Sequence, residues 1–255
     1  MDFVQACFLF IAAWISGVLN SVAGGGGLII FPALIVTGLP AINANATSTV
    51  ASSPGYIASI GAYRDQLQTH QQLSWFLGSV SIAGGIIGAT LLLHTPIAIF
   101  NQLVPYLMLI ATVIFTFGRL IETRLQILPK DNTQNSWSFL FKASFIQFVI
   151  SIYGGYYGLG ISFLVLATLS LLGIRNFHTI NALKVLMMLC IDSFAVLTFI
   201  VADVIAWQQA VIMMLGTAIG GYCGTYYARN IEPELIRCFV IVIAWIMTCY
   251  FFVRK

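Results

Sequence analysis

The stretch Ser21-Val22-Ala23-Gly24-Gly25-Gly26-Gly27 leads through a short apolar run into Pro40-Ala41-Ile42-Asn43-Ala44-Asn45-Ala46-Thr47-Ser48-Thr49. Four consecutive glycines interrupt what is otherwise a long hydrophobic segment. Glycine costs roughly 1 kcal/mol per residue against alanine inside a helix, so four together stop one. Asparagines and a run of hydroxyls follow, still within membrane-grade sequence. In lipid, a broken helix survives only where protein or a water-filled cavity satisfies the freed backbone groups. The stretch therefore predicts a helix break that lines a binding site.

The surrounding chain fits a membrane setting. Its 255 residues are 60% hydrophobic and 7% charged, with a mean hydropathy of +0.96, whereas a soluble domain carries about 25% charged residues. Apolar runs long enough to cross the hydrocarbon core as helix occur near 3–22, 44–63, 71–93, 98–120, 138–153, 178–201, 205–228 and 233–253. Two shorter runs, near 28–37 and 160–172, reach only roughly 15–20 Å. We expect an all-α polytopic membrane protein of eight long and two short helices. The loop near 121–137 is too small to fold alone, which leaves no room for a soluble catalytic domain. The start lacks the basic n-region and cleavage site of a removable leader. The five cysteines show no Cys-x-x-Cys spacing and read as packing residues.

The two halves share an order of parts: a long helix, a glycine-rich break, a short helix, a polar turn and three long helices. Ser21-Val22-Ala23-Gly24-Gly25 lines up with Ser151-Ile152-Tyr153-Gly154-Gly155, and Asn45-Ala46-Thr47-Ser48 with Asn181-Ala182-Leu183-Lys184. This divides the chain into an N-terminal repeat, 1–125, a cytoplasmic loop, 126–137, and a C-terminal repeat, 138–255. If all ten segments count as crossings, Arg64, Arg119, Arg124, Lys130, Lys142, Arg175, Arg229 and Arg237 fall on one face. The positive-inside rule makes that face cytoplasmic and places both termini outside, with only Arg254 and Lys255 opposed. Five segments per half is an odd number, so the second repeat is expected to be inverted. Inverted repeats with broken helices meeting near the midplane recur in secondary transporters.

The glycines 24–27, Pro32, Gly38, Pro40 and Asn45-Ala46-Thr47-Ser48 resemble the sulfite exporter TauE/SafE family. Gly154-Gly155, Gly158-Leu159-Gly160 and Asn181-Ala182-Leu183-Lys184 look like that family's second repeat, and the resemblance covers nearly the whole chain. It implies outward movement of sulfite, organosulfonates or related small anions across a bacterial inner membrane. The second short helix has no counterpart to Pro32, so if that proline shapes the first break, the two half-sites are unequal.

Several residues could carry this chemistry. Each break supplies a helix start with unpaired N–H groups and a positive dipole end, suited to an anion that offers only acceptor oxygens. Gly25 and Gly26 are expected to shape the site, and Asn45, Thr47 and Ser48 to contribute amide and hydroxyl donors, against the plainer roles of helix packing and capping. Asn181 and Lys184 are their counterparts, and Lys184 would bring a positive charge, unless it snorkels to the interface. Ser48 and Lys184 should then approach from opposite faces, leaving roughly 13 Å between them. Asp192, further along the helix of Lys184, is a candidate for proton coupling, as is His178 at that helix's start. No histidine pair has metal-ligand spacing, so neither metal nor cofactor is expected, and the partners are a small anion and the lipid bilayer rather than nucleic acid. An anion channel is the alternative. An intramembrane enzyme ranks lower, because no Gly-x-Ser-x-Gly elbow or serine–histidine arrangement is evident.

Overall fold

The computed structural model describes residues 1–22, 25–62, 67, 71–127, 137–171, 177–227 and 233–253. The described residues form ten helices and no strand: α1 (Phe3–Val22), α2 (Gly27–Val36), α3 (Ala41–Ala62), α4 (Gln71–His94), α5 (Ile97–Ile127), α6 (Trp137–Tyr156), α7 (Ile161–Leu171), α8 (Phe177–Val201), α9 (Trp207–Tyr227) and α10 (Pro233–Val253). Four stretches, Phe3–Ser21, Leu73–His94, Ile97–Gly118 and Thr179–Val201, are long and apolar enough to cross a membrane. Large apolar side chains such as Trp75, Phe141 and Val201 stand exposed on the outside. Apolar exposure on this scale suits lipid and not water. The more polar α3 runs inside the protein, where the hydroxyls of Ser48, Thr49, Ser52, Ser53 and Ser59 donate to carbonyls three or four residues earlier. That back-bonding satisfies the hydroxyls without water.

The packing follows a two-part plan. Helix α1 lies along α9 and α4 lies along α6, while α9 also meets α3 and α4 also meets α8. Helices α3 and α8 touch each other, as do α5 and α10. Exchanging the first five helices for the last five turns the main pairings into one another. The close pairs depend on Gly84-Gly85-Ile86-Ile87-Gly88 in α4 and Gly220-Gly221-Tyr222-Cys223-Gly224 in α9. A Cβ on Gly88 would lie 2.1 Å from the carbonyl oxygen of Ile152, and one on Gly220 would lie 2.1 Å from that of Trp14. The backbones are therefore in direct contact, as small residues permit between membrane helices. Where α5 crosses α10, the hydroxyls of Thr112 and Thr248 sit 3.0 Å apart, joining residues 136 positions apart in the chain. The same spacing relates Ser48 to Lys184 and the first glycine motif to the second.

The second break is narrower than the expected stretch Gly154 to Gly160: α6 continues through Gly154 and Gly155 to Tyr156, and the short helix starts at Ile161, next to Gly160 as expected. Gly155 is instead a contact residue, since a Cβ there would lie 2.1 Å from the Gly85 carbonyl oxygen. The break itself is Tyr157-Gly158-Leu159-Gly160. There the N–H groups of Tyr157 and Gly158 both return to the Tyr153 carbonyl, at 2.9 and 3.1 Å, and Gly158 has a φ of 74°, a Schellman-type helix end. Pro32, in turn, lies within α2 rather than at a break, so the first interruption rests on the glycines. The positions 128–136, most of the expected cytoplasmic loop, lie outside the described residues.

Candidate functional site

The two breaks meet. Gly25 has a φ of 88°, a backbone region that side chains with a Cβ disfavour, and a Cβ there would sit 2.0 Å from the ring of Phe115. The N–H of Gly26 donates to Oδ1 of Asn20 at 2.8 Å. The N–H groups of Leu28 and Ile29 then turn back to the carbonyls of Gly25 and Gly26, starting α2. On the opposite side, Gly160 has a φ of 75° just before α7, and the hydroxyl of Tyr153 donates to the Leu159 carbonyl at 2.9 Å. Among the described residues, no acceptor takes the N–H groups of Gly27, Leu159, Gly160 or Ser162. Two short helices thus begin with unpaired donors.

These residues border one small cavity of about 30 Å³, room for roughly one water molecule. Gly25 and Gly27 line it from the first break, and Gly158, Leu159, Gly160 and Ser162 from the second. Helix α3 adds Ser48, Thr49, Ser52 and Tyr56, helix α8 adds Met188 and Asp192, and α1 adds Asn20. No cationic side chain borders the cavity among the described residues. Its positive potential comes from the helix starts, each equivalent to roughly half an elementary charge. A larger open depression of about 420 Å³, over the end of α2 and bordered by Gly38, Pro40, Asn101 and Gln102, gathers no charged side chain.

The residues singled out in the sequence fall into three groups. Gly25, Ser48 and Asp192 border the cavity. Gly26, Asn45 and Thr47 brace it. Asn45 is buried and its Nδ2 donates at 3.0 Å to the carbonyl of Tyr156, at the end of α6, while its Oδ1 meets no donor. Thr47 is fully buried, and its hydroxyl oxygen accepts the N–H of Ala206 at 3.0 Å. Nearby, Nδ2 of Asn43 donates to the carbonyl of Val204 at 2.9 Å. The start of α3 is therefore stitched to two elements of the second half of the chain. Asn181 and Lys184 form the third group. Both are buried, and Nζ of Lys184 donates to Oδ1 of Asn181 at 2.9 Å, back toward the start of α8. Neither borders the cavity. His178 lies in α8, with its side chain outside what is described.

Several lining residues had no place in the sequence reading: Ser52, Tyr56, Asn20, Tyr157 and Ser162. A signal for the first two existed, since Ser48, Ser52 and Tyr56 recur at the four-residue spacing that stacks side chains on one helix face. Lys184, Met188 and Asp192 repeat that spacing on α8. Tyr56 and Asp192, 136 positions apart like Ser48 and Lys184, both border the cavity. Among the described residues no group of three or more His, Cys, Asp or Glu is placed to hold a metal ion.

Comparison with known proteins agrees with this architecture. The family model described as "Sulfite exporter TauE/SafE" matches residues 9–251. A "Probable membrane transporter protein" of Haemophilus influenzae is 26% identical over 242 residues, covering 94% of this chain and 91% of its own. The "Probable membrane transporter protein ORF9" of a Sinorhizobium species is 27% identical over 248 residues, covering 96% and 91%. The "Probable membrane transporter protein YfcA" of Escherichia coli is 24% identical over 245 residues, covering 94% and 87%. No solved structure matches the chain. The chain is an integral membrane protein of the TauE/SafE sulfite exporter family, a membrane transporter and not an enzyme.

Proposed function

We propose that this protein carries small sulfur oxoanions, sulfite or an organosulfonate, outward across a bacterial inner membrane, holding the anion at the cavity between the two breaks. The observation that carries the reading is the convergence of unpaired N–H groups from both helix starts on one polar cavity. Sulfite and sulfonates present only acceptor oxygens, which backbone donors at helix starts satisfy well. Ser48, Thr49 and Ser52 now donate to helix carbonyls, and Ser162 donates to the sulfur of Met188 at 3.5 Å. Rotation of these hydroxyls would add donors when an anion arrives.

A cavity for about one water is too small for an ion of four or more heavy atoms, so binding requires the breaks to part. The two-part packing supports rocking of one repeat against the other about the α3–α8 and α5–α10 contacts, with the second repeat inverted and both termini outside. Lys184 lies one turn before Met188, toward the start of α8. We place it on the cytoplasmic route, where release of Nζ from Asn181 offers the anion a positive charge.

Counterflow in liposomes tests this. Vesicles preloaded with sulfite, thiosulfate or an alkanesulfonate should take up labelled anion by saturable exchange. Lys184→Ala should slow it at least tenfold while the protein still folds. Flux that never saturates and shows no counterflow would mean a channel.

A further inference from the structure

The cavity that receives two positive helix starts also holds a carboxyl. Asp192 borders it and has no hydrogen-bond or ion-pair partner among the described residues. Unlike Asn45 and Thr47, it braces nothing. An anion entering the same space would meet it at close range with little water between them, and like charges repel strongly in such surroundings. We propose that Asp192 is the coupling residue: its carboxylate shares the cavity with the unpaired helix starts in the empty site, and it takes up one proton each time an anion binds.

The step balances. A proton from the face of entry joins a carboxylate oxygen of Asp192 as the anion accepts from the unpaired N–H groups. After the repeats rock, both leave to the opposite face and Asp192 is again an ionised carboxylate in the empty cavity. A monoanion then travels with one proton and no net charge, so export is driven by the accumulated anion and not by the membrane potential. The surroundings leave Asp192 as the group to titrate. Tyr56 faces it from α3 and Tyr157 from the second break, with Tyr153 of α6 in electrostatic contact with Tyr157. His178, Lys184 and Cys190 share its own helix; neither Lys184 nor Cys190 lines the cavity, and α4 and α7 bring no titratable side chain to this depth. A tyrosine hydroxyl binds no additional proton in this range. The inference rests on the anion-carrier reading and adds the coupling ion to it.

The test uses the full-length protein in liposomes with methanesulfonate, which stays ionised at every pH used. In the wild type, an inward proton gradient should drive accumulation, a potassium–valinomycin potential should have no effect, and a pH dye should report one proton per anion. In Asp192→Asn, whatever its absolute rate, the ratio of flux with and without the proton gradient should fall to about one, and the potential should now drive flux. A wild-type-like response to the proton gradient in Asp192→Asn would overturn the proposal. So would a requirement for a sodium gradient, or wild-type counterflow without proton movement, which is readable even if the variant fails to fold. Wild-type protein that moves none of methanesulfonate, sulfite and thiosulfate would instead defeat the carrier reading, and the coupling with it.

Discussion

At the residue scale, the glycines of the breaks differ in what they tolerate. Gly25 combines a positive φ with a ring where its Cβ would be, and Gly160 combines one with the Ala111 carbonyl oxygen 3.0 Å away. Alanine at Gly25 should cost about 2–5 kcal/mol of stability, from strained backbone and overpacking together, and should abolish transport. Gly38 has a similar φ of 92° but nothing within 4 Å of a Cβ, so Gly38→Ala should cost only about 1–2 kcal/mol and keep transport. Thermal melting in detergent beside liposome flux separates the two. Bracing and binding separate in the same way. Thr47→Val should lower stability by about 1 kcal/mol through the lost partner of Ala206 while leaving anion affinity alone. The sequence made the four glycines and Lys184 conspicuous, because glycine runs and buried charges are rare at membrane depth. It could not tell a glycine needed for its φ from one needed for close approach, which is why Gly154-Gly155 reads as part of the break and is a helix contact. Nor could it foresee that Nζ of Lys184 turns back to Asn181.

At the element scale, the similar glycine motifs of α4 and α9 fasten the two halves of the chain to each other. Gly88→Val and Gly220→Val each place a side chain where a carbonyl oxygen lies 2.1 Å from a Cβ. Each should cost more than about 3 kcal/mol and lower the melting temperature sharply. Gly61→Ala, in α3 with nothing within 4 Å, should be neutral in the same assay. The helices themselves were legible, since membrane spans announce themselves by length and apolarity. Both short helices were visible too, as runs too brief to cross. The glycine motifs went unread because a Gly-Gly-x-x-Gly pattern in one apolar run signals nothing until its partner surface is known. Their recurrence in both halves was the available clue.

At the scale of the whole molecule, the packing joins the first helix of each five-helix half to the fourth of the other, so the two halves interlock. The order of parts was readable from the breaks and loops. The cavity was not, because its lining depends on how far along α8 the two breaks meet it, which puts Met188 and Asp192 on the cavity and leaves Asn181 and Lys184 one or more turns nearer the start of the same helix. Inverted topology predicts opposite labelling: a cysteine at Gly38 should react with an impermeant maleimide from outside, and one at Gln134 only from the cytoplasmic side. The central claim is that both breaks and the α3 hydroxyls hold one anion. Calorimetric titration of the purified protein with sulfite, thiosulfate and alkanesulfonates tests it most directly, comparing wild type with a Ser48→Ala, Ser162→Ala double variant that removes one hydroxyl from each repeat. Charge-assisted hydrogen bonds of about 1.5 kcal/mol or more each predict affinity lowered at least a hundredfold with the melting temperature little changed. Undiminished binding in the double variant, or no binding of any of these anions to the wild type, would contradict the account.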